Sequence, residues 1–277
     1  YVTSLENVAV SAFSQFGDDG IIDFLLTILD ISVPTFIEIG TEDYSESNTT
    51  FLYATRYCRG LIIDSLPDLP SKVSSNLHSY LWKGDLSAVS AFVDISNISP
   101  IVSSFLSSRN ISDIDLVSLD IDGNDFWIAN QLLLSFKPRI FIVEYNAHLG
   151  HRLPVSTPYS STFTRFDHHY SGLIYGASLP AFIHLFGSHG YHYIGSNDFG
   201  NNAYFLCSDD YSLLLSSTKI TESTILQSIV KPNFCREARG VNSELKLETS
   251  LSVLAELHAP LLVNILTNEP VSPSALF

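Results

Sequence analysis

Short apolar runs alternate with longer amphipathic stretches up to about residue 208 of this chain. The runs are bounded by Pro, Gly, Asn or Asp, which is typical of buried strands, and the stretches between them have helical spacing. The predicted strands are residues 36–39, 60–65, 88–93, 115–120, 139–144, 191–195 and 203–206. Strands separated by helices indicate a parallel, doubly wound α/β sheet with right-handed crossovers.

The amphipathic stretches predict the helices that connect these strands. They cover residues 18–29, 47–57, 70–80, 97–107, 126–135 and 179–187. The last two strands are joined by SNDFGNN, which is rich in turn-forming residues and predicts an antiparallel pair. The expected fold is therefore Rossmann-like, with a mostly parallel seven-stranded sheet whose last strand is antiparallel.

The remaining sequence has weaker patterns. Residues 151–175 are rich in Pro, Ser, His and aromatic side chains, and we interpret them as a long loop that covers the substrate as a lid. Residues 251–266 are amphipathic. We therefore predict a Rossmann-like domain over residues 1–208, with an N-terminal helix and the lid, and a C-terminal extension over residues 209–277. The extension is expected to pack on the domain or on a partner.

Composition narrows the range of functions. The chain carries 29 acidic and 14 basic residues, a net charge of −15, which repels nucleic-acid phosphates and anionic membranes. No apolar run approaches the roughly 20 residues that span a bilayer. The three cysteines are widely spaced, without a disulfide or zinc pattern, so a reduced, cytoplasmic setting is expected.

Residues 35–50, TFIEIGTEDYSESNTT, have the order of a strand, a glycine turn and a helix start. Gly40 frees the backbone where the strand ends, and Ser47, Asn48 and Thr49 can cap the next helix. In open α/β sheets, ligands bind outside the carboxyl ends of strands at such a turn. Asp64 ends the next strand, where an acidic residue can accept hydrogen bonds from ribose hydroxyls.

Polar groups also follow the fourth and fifth predicted strands. They are Asp120, Asp122, Asn124 and Asp125 in DIDGND, and Glu144 and Asn146 in EYN. Because neighbouring strand ends meet at one edge of the sheet, these groups suit a hard cation such as Mg²⁺, or a general base with its orienting groups. Alternatively, some of the carboxylates cap the following helices.

Several histidines and one arginine lie near the predicted lid. His148, His151, His168 and His169 are candidate general bases, although for each one taken singly the sequence favours an ordinary surface histidine. Arg165 is one of few cations in an acidic chain, which makes it a candidate for binding an acidic substrate group.

The chain resembles the FkbM-type S-adenosylmethionine-dependent methyltransferases, and more closely an uncharacterised bacterial subgroup of them. The resemblance runs from about residue 14 to 206 and rests on SQFGDDGII, EIGTEDYSESNTTFL, GLIIDS, AFVDISNI, DLVSLDIDGNDFW, PRIFIVEYNAHLG, TPYSSTF, YGASL and GYHYIGSNDFGNNAYF. It implies a Rossmann-like fold and S-adenosylmethionine as the methyl donor, with Mg²⁺ as a further cofactor in distant sugar O-methyltransferases. The expected acceptor is a hydroxyl of a sugar, glycan precursor or other small molecule.

The resemblance also assigns residues to roles. Glu38, Gly40, Thr41 and Asn48 are expected to hold the methionine end of the cofactor, Asp64 its ribose and Asp94 its adenine, with Asp120 beside them. Asp122, Asp125, Glu144 and Asn146 are the expected catalytic residues, and Asp122 and Glu144 the expected metal ligands. A homo-oligomer is compatible with this sequence.

The glycine loop departs from the general methyltransferase pattern E-x-G-x-G-x-G. Glu42 and Tyr44 stand at the later glycine positions. This departure favours an alternative function, a catalytically degenerate ligand-binding protein on the same fold. A nicotinamide-dependent oxidoreductase is disfavoured because no G-x-G-x-x-G is present.

Overall fold

A seven-stranded sheet forms the centre of the protein. The computed structural model describes residues 2–77, 84–227, 236–248 and 252–277. The strands of the central sheet are β1 (Thr35–Ile39), β2 (Arg59–Asp64), β3 (Asp85–Ser90), β4 (Leu116–Leu119), β5 (Ile140–Glu144), β7 (Tyr191–Ser196) and β8 (Asn202–Cys207). Five short strands form two smaller sheets. One sheet pairs β9 (Arg236–Arg239) with β10 (Leu245–Glu248), and the other has the order β12 (Pro270–Val271), β11 (Leu262–Asn264) and β6 (Val155–Ser156).

The strand order of the sheet is β3-β2-β1-β4-β5-β8-β7. The first five strands are parallel to their neighbours, while β8 is antiparallel to both β5 and β7. This confirms the predicted Rossmann-like sheet with an antiparallel last strand. The order reverses between β1 and β4, and such a reversal opens a crevice where ligands bind in doubly wound sheets.

Two groups of helices cover the sheet. The helices are α1 (Asp18–Ile28), α2 (Thr50–Thr55), α3 (Leu69–Asn76), α4 (Ile98–Ser108), α5 (Asp125–Ser135), α6 (Arg165–His168), α7 (Leu179–Ser188), α8 (Ser208–Ser217), α9 (Glu222–Gln227) and α10 (Ser252–Ala255), with single 3-10 turns at Leu5–Val8, Ala147–Leu149 and Pro273–Leu276. Helix α1 contacts α2 and α8, whereas α5 contacts α4 and α7. Within the described ranges, the structure has no helix that is long and apolar enough to cross a membrane.

The apolar runs became buried strands because both faces of the sheet are covered. Every residue of β1 and β5 is buried. On one side of β5, the rings of Phe186 and Phe205 stack with centroids 4.0 Å apart, and Phe141 meets Phe186 at 4.8 Å. This aromatic packing stabilises the contact of β8 and α7 with β5, which belongs to the parallel part of the sheet.

Two predicted boundaries were wrong. The third strand lies at Asp85–Ser90, not at residues 88–93, because it is an edge strand whose residues are only half-buried, so its apolar run does not mark its ends. Helix α2 begins at Thr50, not at residue 47, because residues 47–49 bind the carboxylate of Glu38 and do not enter the helix. Part of the predicted 70–80 helix, at residues 78–80, lies outside the described residues.

Residues 151–175 are more structured than the predicted loop, since they contain β6 and α6. Strand β6 pairs with β11 of the C-terminal segment, where Val263 opposes Ser156. A second apolar cluster combines residues before and after position 208: Leu149, Val155, Leu173, Ile174, Ala238, Leu254, Leu262 and Leu276. In the amphipathic stretch 252–266, the structure has a short helix and a strand instead of one continuous element.

Candidate functional site

A cavity of about 440 Å³ opens at the carboxyl ends of β1, β2 and β4. This is the crevice where the strand order reverses, and its volume falls in the range of small-molecule sites. Six residues predicted to bind a cofactor line it: Glu38, Gly40, Thr41, Asn48, Asp64 and Asp120. Of the predicted catalytic residues, Asp122 lines it as well.

Gly40 sets the close approach of the two strands that flank the crevice. Its φ is +84°, and a Cβ at this position would lie 1.5 Å from the carbonyl oxygen of Asp120. Its N–H donates to the carbonyl of Ile63 at 2.9 Å, and the N–H of Asp120 donates to the carbonyl of Ile39 at 2.9 Å. Only glycine fits here, because any side chain would occupy the space of the β4 backbone.

The Glu38 carboxylate organises the loop that leads to α2. It accepts hydrogen bonds from the N–H of Asn48 at 2.8 Å, the N–H of Thr49 at 3.0 Å and the hydroxyl of Ser47 at 3.0 Å, and also from the Thr49 hydroxyl. Burial raises the pKa of Glu38 to about 7 despite these bonds. Glu38 therefore shapes the cavity wall more than it presents a free carboxylate to a ligand.

Asp64 holds the glycine loop from the neighbouring strand. One of its oxygens accepts from the N–H groups of Thr41 and Glu42, both at 2.9 Å, and the other accepts from the N–H of Leu66 at 2.7 Å. Three charge-assisted bonds fix the backbone path at the cavity floor. Each carboxylate oxygen keeps acceptor capacity for a ligand hydroxyl.

Glu42 and Tyr44 adopt the left-handed backbone that glycine favours, with φ values of +46° and +64°. The Tyr44 side chain is completely buried and its hydroxyl is 2.7 Å from the hydroxyl of Thr49, so it points into the core. The loop thus follows a glycine-like path without placing the tyrosine ring in the cavity, whereas Glu42 lines it.

Three predicted site residues bind backbone groups and do not line the cavity. The carboxylate of Asp94 accepts from the N–H groups of Ser96 and Asn97 at 2.7 and 3.0 Å, before α4. Residues 91–93, which come directly before Asp94 in the chain, line the cavity, whereas Asp94, the predicted adenine contact, does not.

Asp125 and Asn146 likewise hold neighbouring turns. The two oxygens of Asp125 accept from the N–H groups of Ile121 and Gly123 at 2.9 and 2.8 Å, and burial raises its pKa to about 7. The Asn146 amide donates to the carbonyls of Leu173 and Tyr175 at 3.0 and 3.1 Å. A catalytic role for either residue gains no support from these contacts.

An acidic group lies where β4 and β5 end. Asp120, Asp122 and Glu144 each place a carboxylate oxygen within 4.8 Å of the others. Arg165 lies beside this group, with 3.3 Å between its Nη1 and Oδ1 of Asp122, and its Nη2 is 3.8 Å from Oε2 of Glu237. The arginine therefore pairs with protein carboxylates, and the prediction that it binds an acidic substrate group stays a prediction.

The predicted histidines are not among the residues that line the cavity. His148 is buried in the turn after β5, Nε2 of His168 is 2.9 Å from the carbonyl oxygen of Leu261, and Nδ1 of His169 is 2.8 Å from the Ser171 hydroxyl. His151 is exposed. The structure favours ordinary structural or surface roles for all four.

One wall of the cavity was not predicted. Asp18, at the start of α1, accepts hydrogen bonds from the amides of Asn197 and Asn202 at 3.2 and 3.1 Å and from the Tyr204 hydroxyl. Burial raises the pKa of Asp18. The polar residues of SQFGDD and GSNDFGNN were the only sign of this wall in the sequence. The sequence alone does not pair them, because Asp18 and Asn202 lie more than 180 positions apart.

Residues 151–175 also reach the cavity. The Phe163 ring lines it and packs so closely on Gly123 that a Cβ there would lie 2.3 Å from the ring. The Asn124 amide donates to the carbonyl of Ser160 at 2.7 Å, and the Trp127 indole donates to that of Thr157 at 2.9 Å. The segment predicted as a lid is thus anchored to α5 beside the cavity.

Comparisons with known proteins give matches in structure alone. No protein-family profile and no curated protein sequence matches the chain. Similar solved structures include the CurJ carbon methyltransferase, at 10% identity and a TM-score of 0.41 over 68% of this chain and 51% of that chain. The chain thus spans about half the length of that protein.

Two further solved structures match at a comparable level. Magnesium protoporphyrin IX methyltransferase from Synechocystis PCC 6803 with bound SAH is 11% identical, with a TM-score of 0.41 over 69% of this chain and 82% of that one. An O-methyltransferase from Bacillus cereus in complex with SAH is 12% identical, with a TM-score of 0.40 over 66% and 77%. At this level of similarity, the function has to be inferred from the site of this chain itself.

Proposed function

We propose that the chain is an S-adenosylmethionine-dependent methyltransferase of the FkbM type, and that it methylates a hydroxyl of a sugar or another small hydroxylated acceptor. The supporting observation is the cavity at the point where the strand order reverses, with Gly40, Asp64 and Asp120 at its base. A ligand-binding crevice at this point is the general rule for doubly wound sheets.

The residues of the cavity fit the parts of S-adenosylmethionine. Ile63, Phe92, Val93 and Ile121 offer apolar contacts for an adenine ring. Asp64 offers acceptors for ribose hydroxyls, and Ser14, Gln15, Ser47 and Asn48 offer hydroxyl and amide groups for the amino-acid end. When bound, S-adenosylmethionine would supply a methyl group from a positively charged sulfonium and leave as the neutral S-adenosylhomocysteine.

The protein's contribution to transfer would be to orient the acceptor hydroxyl and to take its proton. Asp122 lines the cavity, and the carboxylates of Asp120 and Glu144 lie within 4.8 Å. One carboxylate of this group can take the proton of the hydroxyl as a general base. Grouped carboxylates also suit a hard cation such as Mg²⁺, which would make the hydroxyl more acidic.

Replacing Asp64 tests the cofactor part of this proposal. We expect wild-type protein to bind S-adenosylmethionine in calorimetric titration, and Asp64→Ala to weaken that binding about tenfold or more, because three backbone N–H groups lose their acceptor. Asp94→Ala is the matched control, since its carboxylate binds the start of α4. No binding to the wild type at millimolar ligand would contradict the proposed function.

Neutral substitutions in the acidic group test whether its carboxylates take part in methyl transfer. We expect Asp122→Asn and Glu144→Gln each to lower turnover at least about 100-fold, while affinity for S-adenosylmethionine falls by about threefold at most. Asn suits position 122 because Asp122 has φ +53°, a conformation that asparagine tolerates well. Glu269→Gln, which removes an exposed carboxylate, is the control.

The outcome also separates the remaining possibilities. Loss of turnover on adding a chelator, restored by Mg²⁺, would support a bound cation over a carboxylate that acts alone as general base. Retained turnover in both variants would exclude the acidic group from the chemistry. The alternative function, a ligand-binding protein without catalysis, predicts binding of S-adenosylmethionine with no methyl transfer to hydroxylated acceptors by wild-type protein.

A further inference from the structure

The lining of the cavity is rich in carboxyl groups. Seven carboxyl side chains line it: Asp18, Glu38, Glu42, Glu46, Asp64, Asp120 and Asp122. Because burial raises the pKa of Asp18 and Glu38, the negative charge comes mainly from the other five. Within the described part of the chain, no lysine, arginine or histidine joins them in the lining. Arg165 pairs with Asp122 from outside the lining and compensates one charge at most. The interior of the cavity therefore carries a negative potential.

A buried acceptor group gives an independent sign of what the cavity binds. Asn202 lines the cavity, is 3% exposed, and uses its amide N–H to bind Asp18 at 3.1 Å. Its Oδ1 is buried and has no hydrogen-bond partner among the residues that the structure describes. Because an acceptor oxygen without a partner is unfavourable when buried, this wall favours a hydrogen-bond donor or a cation.

On the basis of the proposed function, we propose that this cavity selects its cofactor by charge, so that it binds the sulfonium of S-adenosylmethionine more tightly than the neutral thioether of S-adenosylhomocysteine. The two molecules differ by one methyl group and one positive charge. An acidic cavity without lining cations attracts the charged form, while shape and hydrogen bonding serve both forms alike.

This selectivity has a consequence for turnover. The product loses the positive charge at the moment the methyl group leaves, so the carboxylates that hold the substrate form no longer favour the product form. The product is then released more easily, and S-adenosylhomocysteine is a weak inhibitor at concentrations where S-adenosylmethionine saturates the site.

Calorimetric titration with three ligands tests the inference without any acceptor. S-adenosylmethionine and sinefungin, in which a protonated amine replaces the sulfonium, should each bind at least about fivefold more tightly than S-adenosylhomocysteine at low salt. The preference should shrink severalfold between about 20 mM and 500 mM NaCl, because salt screens charges at the open side of the cavity.

Two double variants, one inside and one outside the cavity lining, test whether the lining carboxylates cause this preference. The double variant Glu42→Gln/Glu46→Gln removes two exposed carboxylates of the lining and should reduce the preference at least about twofold. Glu222→Gln/Glu256→Gln removes two exposed carboxylates outside the lining and should leave the preference unchanged.

Three outcomes would overturn the inference, and they differ in meaning. Equal or tighter binding of S-adenosylhomocysteine at low salt would refute the charge selectivity and leave the proposed function intact. If none of the three ligands binds, the proposed function fails and the inference fails with it. An equal loss of preference in both double variants would assign the effect to net charge, which also refutes selection by the cavity.

Discussion

Replacing Gly40 by alanine is expected to lower the free energy of unfolding by about 3 kcal/mol or more and to abolish the cavity. The added Cβ would lie 1.5 Å from the backbone oxygen of Asp120, and φ is +84°. Left-handed backbone at a non-glycine residue costs about 1–2 kcal/mol, and overpacking adds about 1–3 kcal/mol. Backbone hydrogen bonds hold both strands, so neither can move away freely.

Urea denaturation followed by circular dichroism measures the effect. Gly187→Ala is the control, because this glycine lies in α7 and an added Cβ meets nothing within 4 Å. Alanine should stabilise that helix by about 0.5–1 kcal/mol. A Gly40→Ala protein with wild-type stability and wild-type affinity for S-adenosylmethionine would refute the role given to this close approach.

Much of the sheet could be predicted because burial imposes a simple pattern. Strands β1 and β5 are buried on both faces, so they read as short apolar runs, and Gly40 and the polar residues that follow mark where β1 ends. The edge strand β3 is only half-buried, so no apolar run marks where it begins and ends. Its predicted position was therefore three residues too late.

The site was less predictable because a strand-end carboxylate has two uses. Asp64 ends β2 and Asp94 follows β3, yet Asp64 lines the cavity while Asp94 binds backbone N–H groups before α4. Nothing local in the sequence separates these outcomes. The contact between Asp18 and Asn202 was missed for another reason, since it forms only when α1 packs beside β8.

We expect the wild-type protein to lose stability as the pH rises from about 5 to about 8, with Glu38 and Asp125 as main contributors. Burial raises the pKa of Glu38 from 4.5 to about 7 and that of Asp125 from 3.8 to about 7. Between the ordinary and raised values, the folded state binds more protons than the unfolded state. The stabilisation is therefore complete below about pH 4 and is lost as the pH passes 7.

Each carboxyl should contribute on the order of 3 kcal/mol across this range, at about 1.4 kcal/mol per pKa unit. Glu38→Gln and Asp125→Asn should each flatten the pH dependence of the free energy of unfolding, measured by urea denaturation at several pH values. Repulsion among the carboxylates of this acidic chain also grows with pH. Because this repulsion is nearly the same in the wild type and the variants, it cancels when their pH dependences are compared. Asp94→Asn is the control, because the pKa of Asp94 is lowered and it titrates below the range studied. Slopes that match the wild type in both variants would show that neither buried carboxyl holds its proton near neutrality.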